Sequence, residues 1–490
     1  MWLIEENFMN YNPAMRTLTL LVLIFSVSVI SVYSQPRVNY IALQNFNRTP
    51  STYLDQIFLP ADNGLTETVF IFRINNNRLT FRRDRTTGNG SSTGDFVADI
   101  ELIFDLYEKD TPLVPDRTFL KRETWKYTAR VATYEQTQSS DEYVEGFVSI
   151  ISEPGTYRLL PTFSINGTPS PFLSTMQMPG ATSTRQRTSR RGQEQAEIAR
   201  SMIEIPDFST HTKASIAIID QNSQASAFSL LNMGNNVQYA NDYKILTLVP
   251  NELNSDSLVL SVTELGPIPD ASQSVVSSVW RTNLNEPLSS AGTMSVAGGN
   301  ENLQIITSEG TGKIFLTVVP NHRFKNSWFR ISVTSYLSGE ATRIAEKTVL
   351  SRWFDIPTSL LNLDVAIDNL KYIVDDSRLR EMKRGNQAEK EARFNAFWKE
   401  RDPTPDTEYN ELMAEYYKRI DDAFKRFSTP STPGHESDQG KIFIVYGPPD
   451  NIERRFPPGG TTQEVWQYPG RTFIFNATSG FGDFQLVTSN

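Results

Sequence analysis

Four consecutive residues near the C-terminal end of this 490-residue chain carry its densest run of reactive side chains. His435, Glu436, Ser437 and Asp438 set an imidazole, a hydroxyl and two carboxylates between Gly434 and Gly440. An imidazole beside a carboxylate can move protons near neutral pH. A nucleophile–base pair is defined by convergence in space, however, and neighbours along an extended loop point apart. The structural reading is the stronger one. In it Gly434 supplies a positive-φ turn, while Ser437 or Asp438 hydrogen-bonds local backbone and seats the apolar segment that follows.

That segment, residues 441–446, has Ile442, Ile444 and Tyr446 on one face of an extended chain and Phe443 and Val445 on the other. Two apolar faces predict a buried, central strand, stopped by Gly447-Pro448-Pro449-Asp450. Upstream, Thr404 is the expected N-cap of a long helix with Pro405 at its first position. Tyr409, Leu412, Met413, Tyr416, Ile420, Ala423, Phe424 and Phe427 form its apolar stripe. Pro403 and Pro405 break the chain between this helix and an earlier one bearing Phe394, Phe397 and Trp398. Downstream, residues 464–468, 471–476 and 484–487 read as strands, with Pro469-Gly470 turning the first into the second.

Aromatic residues are dense here: Trp398, Tyr409, Tyr416, Tyr417, Tyr446, Trp466 and Tyr468. Such side chains can stack on a sugar or a partner peptide, but at helical and strand spacing they more often fill a core. Tyr417 lies off the stripe and is expected at the surface. The candidate binding residues are therefore His435, Glu436, Asp438, Tyr446, Asp450, Trp466 and Tyr417. Gly434, Ser437, Pro403, Pro405, Gly447 and Pro448 are expected to shape the backbone. No catalytic residue, metal ligand or cofactor is assigned, because none of the nucleophile-elbow, zinc, calcium or dinucleotide signatures occurs. The stretch 308–313 carries Gly310, Gly312 and Lys313 but lacks phosphate-loop spacing, and it reads as a hairpin turn.

From residue 353 onward the chain resembles the bacterial GWxTD-domain proteins. The matching segments are LDVAIDNLKYIV (363–374), FWKERDPTPDT (397–407), NELMAEYYKR (410–419) and DQGKIFIVYGPPD (438–450), with weaker matches at 465–468 and 480–486. The naming motif is altered: Gly434-His435-Glu436-Ser437-Asp438 has His where that family has Trp and Ser where it has Thr. The resemblance covers a little over a quarter of the chain. It implies an α+β fold and an envelope context, and no reaction.

The remainder sets the compartment and the architecture. Net charge is −9, which gives no electrostatic footprint for nucleic acid. Residues 371–426 hold 13 basic and 13 acidic side chains, a mixed solvated surface. There is no cysteine, which excludes disulfides, thiolate metal sites and a lipidated cysteine. The three histidines, His211, His322 and His435, are too dispersed for a metal motif. Arg16 and the apolar run 18–32 read as a secretory signal over residues 1–34, with Met15 as the start and Gln35 as the first mature residue. The run is shorter than the ~20 residues a spanning helix needs, so no stable transmembrane anchor is expected.

Residues 35–177 and 203–352 each show short period-two strands with turn signals between them, the pattern of immunoglobulin-like β-sandwiches. Residues 178–202, rich in Arg, Ser and Thr, read as a linker or long loop, and 353–490 as the GWxTD-like α+β domain. The expectation is a periplasmic or secreted envelope protein, with outer-membrane association in view. Its β-sandwich surfaces would meet a protein or glycan partner without catalysis. Two alternatives remain: a hydrolase on an envelope polymer acting through the 434–438 loop, and a periplasmic chaperone or secretion accessory working through sheet edges.

Overall fold

The structure is a computed structural model that describes residues 40–44, 50–84, 96–108, 119–169, 202–223, 227–265, 277–300, 302–478 and 483–489. The expected signal segment at 1–34, most of the expected connector at 178–202 and the loop tip at 88–94 lie outside them. The chain forms two compact units. Among the described residues, one holds those between 50 and 355 together with 402–411, and the other holds 40–44, 356–401 and those from 412 to 489. Two β-sandwiches make the first unit, and an α+β domain with a small sheet makes the second.

In the β unit four sheets are stacked. The first has three antiparallel strands, Thr52–Pro60, Thr66–Asn75 and Tyr143–Ser152, with Thr66–Asn75 in the middle. The second is built on Phe96–Glu108, flanked by Phe119–Val131 and Gly155–Ile165. Their facing side chains, among them Phe70, Phe72, Leu102, Phe104 and Phe163, make one core. Ser215–Ile219, Tyr243–Pro250 and Gly312–Val319 belong to a third, six-stranded sheet, and Trp328–Leu337 and Glu340–Arg352 to a fourth of five strands. Ile245, Phe315, Ile331 and Val349 fill the core between these two.

The sandwiches also share a core with each other. Val69 and Ile71 on the back of the first sheet meet Ala217, Ile219, Leu246 and Leu248 on the back of the third. Strands 66–75 and 215–219 are thus buried on both faces, and each carries an unbroken apolar run, 69–72 in the first and 216–219 in the second. Some polar groups that cross this boundary are paired, which offsets the cost of burying them. Glu145 accepts hydrogen bonds from the Leu303 N–H (2.9 Å) and the Asn232 amide (3.1 Å). Met202–Ile205, at the head of the second β region in sequence, pairs instead with Gly155–Ile165 of the first. The 310–311 turn is not a hairpin either, because the strands on each side of it both pair with Ser289–Ala297.

The C-terminal unit packs helices Leu363–Asn369, Gln387–Lys399 and Glu411–Phe427 around a core that includes Trp398, Tyr416, Tyr417, Ile420, Phe443 and Trp466. A four-stranded antiparallel meander, Asn451–Arg455, Gln463–Tyr468, Arg471–Ala477 and Phe484–Ser489, covers one side. Three expectations are corrected here. Residues 441–446 are not a strand but most of the helix Asp438–Tyr446. The long helix begins at Glu411, so Thr404 does not cap it. Residues 402–411 instead belong to the β unit, where the Tyr409 ring packs 5.2 Å from Trp353 and Tyr239 donates to the Glu408 carbonyl.

The third correction concerns the buried stripe of the long helix, which is rotated by about one residue. Leu412 is 47% exposed, whereas Tyr417 is fully buried. The two tyrosine hydroxyls explain the rotation. Tyr416 donates to the Asn369 carbonyl and Tyr417 to the Ala366 carbonyl, so both rings enter the core with their polar ends satisfied.

Candidate functional site

The stretch 434–438 folds as one turn of 3-10 helix, Gly434–Glu436, leading into the helix Asp438–Tyr446. Ser437 is the N-cap of that helix. Its hydroxyl accepts from the Gly440 N–H (3.0 Å) and donates to the Gly434 carbonyl (2.7 Å). The expectation that Ser437 bonds local backbone holds, although what it seats is a helix. Gly434 has no positive φ. It is needed for closeness: a Cβ there would lie 2.2 Å from the Ala423 carbonyl oxygen and 2.6 Å from the Ser428 nitrogen. Gly440 is equally confined, with the Gly434 oxygen 1.9 Å from its would-be Cβ. The positive φ falls on Gly447 (81°), which ends the helix before the exposed Pro448.

The reactive groups of this stretch do not converge. His435 is 4% exposed, with its ring 4.8 Å from that of Tyr40 and 5.9 Å from that of Phe424. Burial pushes its pKa down to about 4, with Lys371 adding to the fall and Glu436 opposing it. The ring is neutral at pH 7. Its Nδ1 has no hydrogen-bond partner among the described residues, and Nε2 stands 4.0 Å from Glu436. Glu436 turns outward to Lys371 at 3.1 Å. Burial would raise its pKa, but the hydrogen bond and charge of Lys371 outweigh that and hold it low. Asp438 accepts from the Leu486 N–H (3.1 Å) and pairs with Lys441 (3.0 Å), which together overcome its burial and lower its pKa. Asp438 thereby ties its helix to the last strand.

The other candidates are spread through the domain. Trp466 is 1% exposed and packs against Phe427 and Phe475. Tyr446 is 38% exposed, with its ring against Tyr468 and Phe473 and its hydroxyl accepting from Arg471. Asp450 is exposed, and its N–H joins the Gln467 carbonyl. Tyr417 is core, contrary to expectation. Pro403 and Pro405 are exposed on the 402–411 segment. The sequence reading missed a buried polar knot. Glu464, 6% exposed, accepts from Gln439 (2.7 Å), Arg454 (2.8 Å) and the Trp466 indole (3.3 Å). A lone Glu opening a strand gives no signal of that.

The β unit holds a cleft of about 810 Å³ that the sequence did not reveal. Strands from all four sheets line it: Thr52–Pro60, the neighbours Gly155–Ile165 and Met202–Ile205, Ser215–Ile219 and Glu340–Arg352. Lys347 spans it, donating to Asp55 (2.6 Å) and to the Gln56 carbonyl (3.1 Å), and the Ala214 N–H joins the Ile344 carbonyl. Asp55 and Lys347 are both nearly enclosed, and Arg343 pairs with Glu346 at the rim. Phe58, Phe208 and Ile344 supply apolar wall. A smaller cavity of about 290 Å³ adjoins through Phe208, Lys213 and Ser215 and reaches His211 and Glu252. Among the described residues no cluster of His, Asp or Glu could hold a metal ion, and no helix is long and apolar enough to cross a membrane.

No curated protein matches the chain. Among solved structures it is similar to the C-terminal domain of the Streptococcus pyogenes antigen I/II-family protein AspA, at 9% identity over 61% of this chain and 100% of that one, with a TM-score of 0.15. It is similar also to the C-terminal domain of the Streptococcus agalactiae AgI/II polypeptide BspA, at 8% identity over 61% and 99%, with a TM-score of 0.13. At such TM-scores neither likeness carries an argument. The GWxTD domain model matches residues 354–484. This chain therefore contains a GWxTD domain over residues 354–484, with His435 in the tryptophan position and Ser437 in the threonine position of its motif.

Proposed function

We propose that this chain is an exported, non-catalytic binding protein of the cell envelope, and that its β unit takes an extended segment of a partner protein. The observation that carries this is the 810 Å³ cleft where strands of four sheets meet. Along its wall, the side of Glu340–Arg352 facing away from Trp328–Leu337 has a ladder partner only at 350–352 among the described residues, besides the single hydrogen bond from the Ala214 N–H to the Ile344 carbonyl. An open edge offers main-chain donors and acceptors to an incoming strand, and the pockets beside it can select side chains. A glycan reader would be expected to present Trp or Tyr faces. The aromatic residues lining this cleft are Phe58 and Phe208, which favours the protein partner.

The apolar run 18–32 supports export, and the burial of His435 with the outward pairing of Glu436 supports a role without turnover. The same open edge suits a chaperone or secretion accessory, which would engage many clients instead of one partner.

The test places a photo-crosslinking residue at position 346 on the cleft rim, with position 400 on the C-terminal unit as control. A discrete adduct from envelope fractions at 346 and not at 400 is expected. A ladder of unrelated adducts would favour the accessory role. Equal labelling at both positions would sink the cleft as the binding surface. Turnover of an envelope peptide or glycan that Asp438→Asn abolishes without unfolding would restore the hydrolase.

A further inference from the structure

The slot above the 434–436 turn is filled by a piece of chain from far away in sequence. Tyr40–Gln44 is a five-residue helix, much too short to persist by itself in water. Tyr40 and Leu43, one turn apart, are 5% and 6% exposed and join the core of the C-terminal unit, while Ile41 between them is 51% exposed. The Tyr40 hydroxyl donates to Asp421 at 2.6 Å, across 381 residues of sequence. Its ring lies 5.3 Å from Phe424 and 4.8 Å from His435. The acceptor is oriented independently of this contact, because the other Asp421 oxygen is held by the Thr358 N–H (2.9 Å) and hydroxyl (3.2 Å). A fixed carboxylate at one end of a slot walled by aromatic rings is a receptor for a tyrosine, and the Leu43 contact adds a second anchor at i+3.

We propose that this slot, formed by Asp421, Phe424, His435 and Thr358, is a binding site for short helical segments of the form Tyr-x-x-Leu, and that residues 40–43 are its ligand in cis. Two anchors on one helical turn bury too little surface to bind tightly in trans. Joined to the same chain, the segment acts at an effective concentration that can reach the millimolar range, so a weak site stays filled. A partner carrying the same pattern would have to displace it. This site is separate from the cleft of the β unit, and neither proposal needs the other.

The test uses the full chain and a fluorescein-labelled peptide spanning residues 37–46. In the Tyr40→Ala/Leu43→Ala chain the slot is vacated, and fluorescence anisotropy should show the peptide binding at least tenfold more tightly than to the wild-type chain. A peptide with Tyr40→Phe, or a chain that also carries Asp421→Asn, should lose about tenfold. Equal binding to wild-type and double-variant chains would overturn the proposal. So would absence of binding to a double variant that keeps the wild-type circular dichroism. If the double variant fails to fold, hydrogen exchange on the wild-type chain decides: excess unlabelled peptide should speed exchange at 40–44 while leaving 434–437 protected. An unchanged rate at 40–44 would overturn it. Concentration-dependent dimerisation of the wild-type chain, lost in the double variant, would mean that the segment is exchanged between copies, and would overturn occupancy in cis.

Discussion

Ser215–Ile219 and residues 441–446 are short apolar runs of the same kind, yet the first is a strand and the second a helix. The strand is buried on both faces because a sheet lies on each side of it. Ile216 and Ile218 face one core, and Ala217 and Ile219 face the other. The helix is held chiefly from its ends. Ser437 caps the start, the Gly434–Gly440 contact fixes the approach, and Gly447 with its positive φ closes the other end. Only Phe443 and Ile444 of its apolar residues are fully buried, and Val445 is 40% exposed. An apolar run therefore leaves the choice of backbone open, and the residues that flank it decide.

The sharpest way to break this comparison is a truncation series. Alanine at Ile216, Ile218 or Ile219 should each cost roughly 2–5 kcal/mol, since every one of these side chains is enclosed. In the helix, Phe443→Ala should cost roughly 3–5 kcal/mol and Val445→Ala less than about 1 kcal/mol. Were 441–446 extended, Phe443 and Val445 would share a face and cost alike. Equal losses at those two positions in denaturant unfolding would therefore refute the helix.

Gly440→Ala comes next. The added methyl would collide with the Gly434 carbonyl oxygen, which is backbone and cannot swing aside. A loss of about 3 kcal/mol is expected. Gly146→Ala is the matching substitution in the β unit, where the obstacles are the Phe72 and Trp125 rings. Side chains can shift where a carbonyl cannot, so the penalty there should be smaller. The reverse order, read from the melting of each unit, would show that the glycine contact is not what holds the 434–440 corner.

These contrasts explain what is legible in the sequence. The β strands are, because Phe96–Glu108 and its neighbours alternate visibly, and so is the turn at Pro469-Gly470, whereas the bend at Pro154-Gly155 joins strands of two different sheets and makes no hairpin. That two sandwiches share a core is not legible. The apolar faces of 66–75 and 215–219 read the same whether a second sheet or solvent lies beyond them. Residues 441–446 read equally as strand or helix, because alternation and helical spacing coincide over the five apolar positions 442–446, and the Ser437 cap that decides between them looks in sequence like a loop contact. Tyr417 falls at the surface only if the stripe is phased on Tyr409, which lies outside the helix. The 434–438 stretch was correctly read as backbone-directed in Ser437. The carboxylate of Asp421 and the ring of Tyr40 that complete its surroundings stand too far off in sequence to be linked without coordinates.

The smallest of the expected effects follows from the imidazole that stands in the tryptophan position. Burial holds His435 near 4 in the folded chain, against about 6.5 for an ordinary imidazole. The unfolded chain therefore takes up this proton first as pH falls. The stabilisation from keeping the ring neutral is complete above about 6.5 and drains away towards pH 4, by at most about 3 kcal/mol. Asp421 acts in the opposite sense. Burial raises its pKa, with Tyr40 and Thr358 partly opposing, so the folded chain binds that proton more readily and recovers part of the loss as pH falls. The net change between pH 7 and pH 4.5 should be a loss of stability smaller than the His435 contribution alone, borne by the unit that carries the helix Asp438–Tyr446. His435→Phe keeps an aromatic ring in the slot and removes the titration, so its unfolding should depend less steeply on pH over that range. Urea titrations of both chains, followed by segment-resolved hydrogen exchange, separate this unit from the β unit. Parallel pH profiles for the two chains would mean that the ring is not buried as neutral imidazole, and that the corner is held by the glycine contact and the Ser437 cap alone.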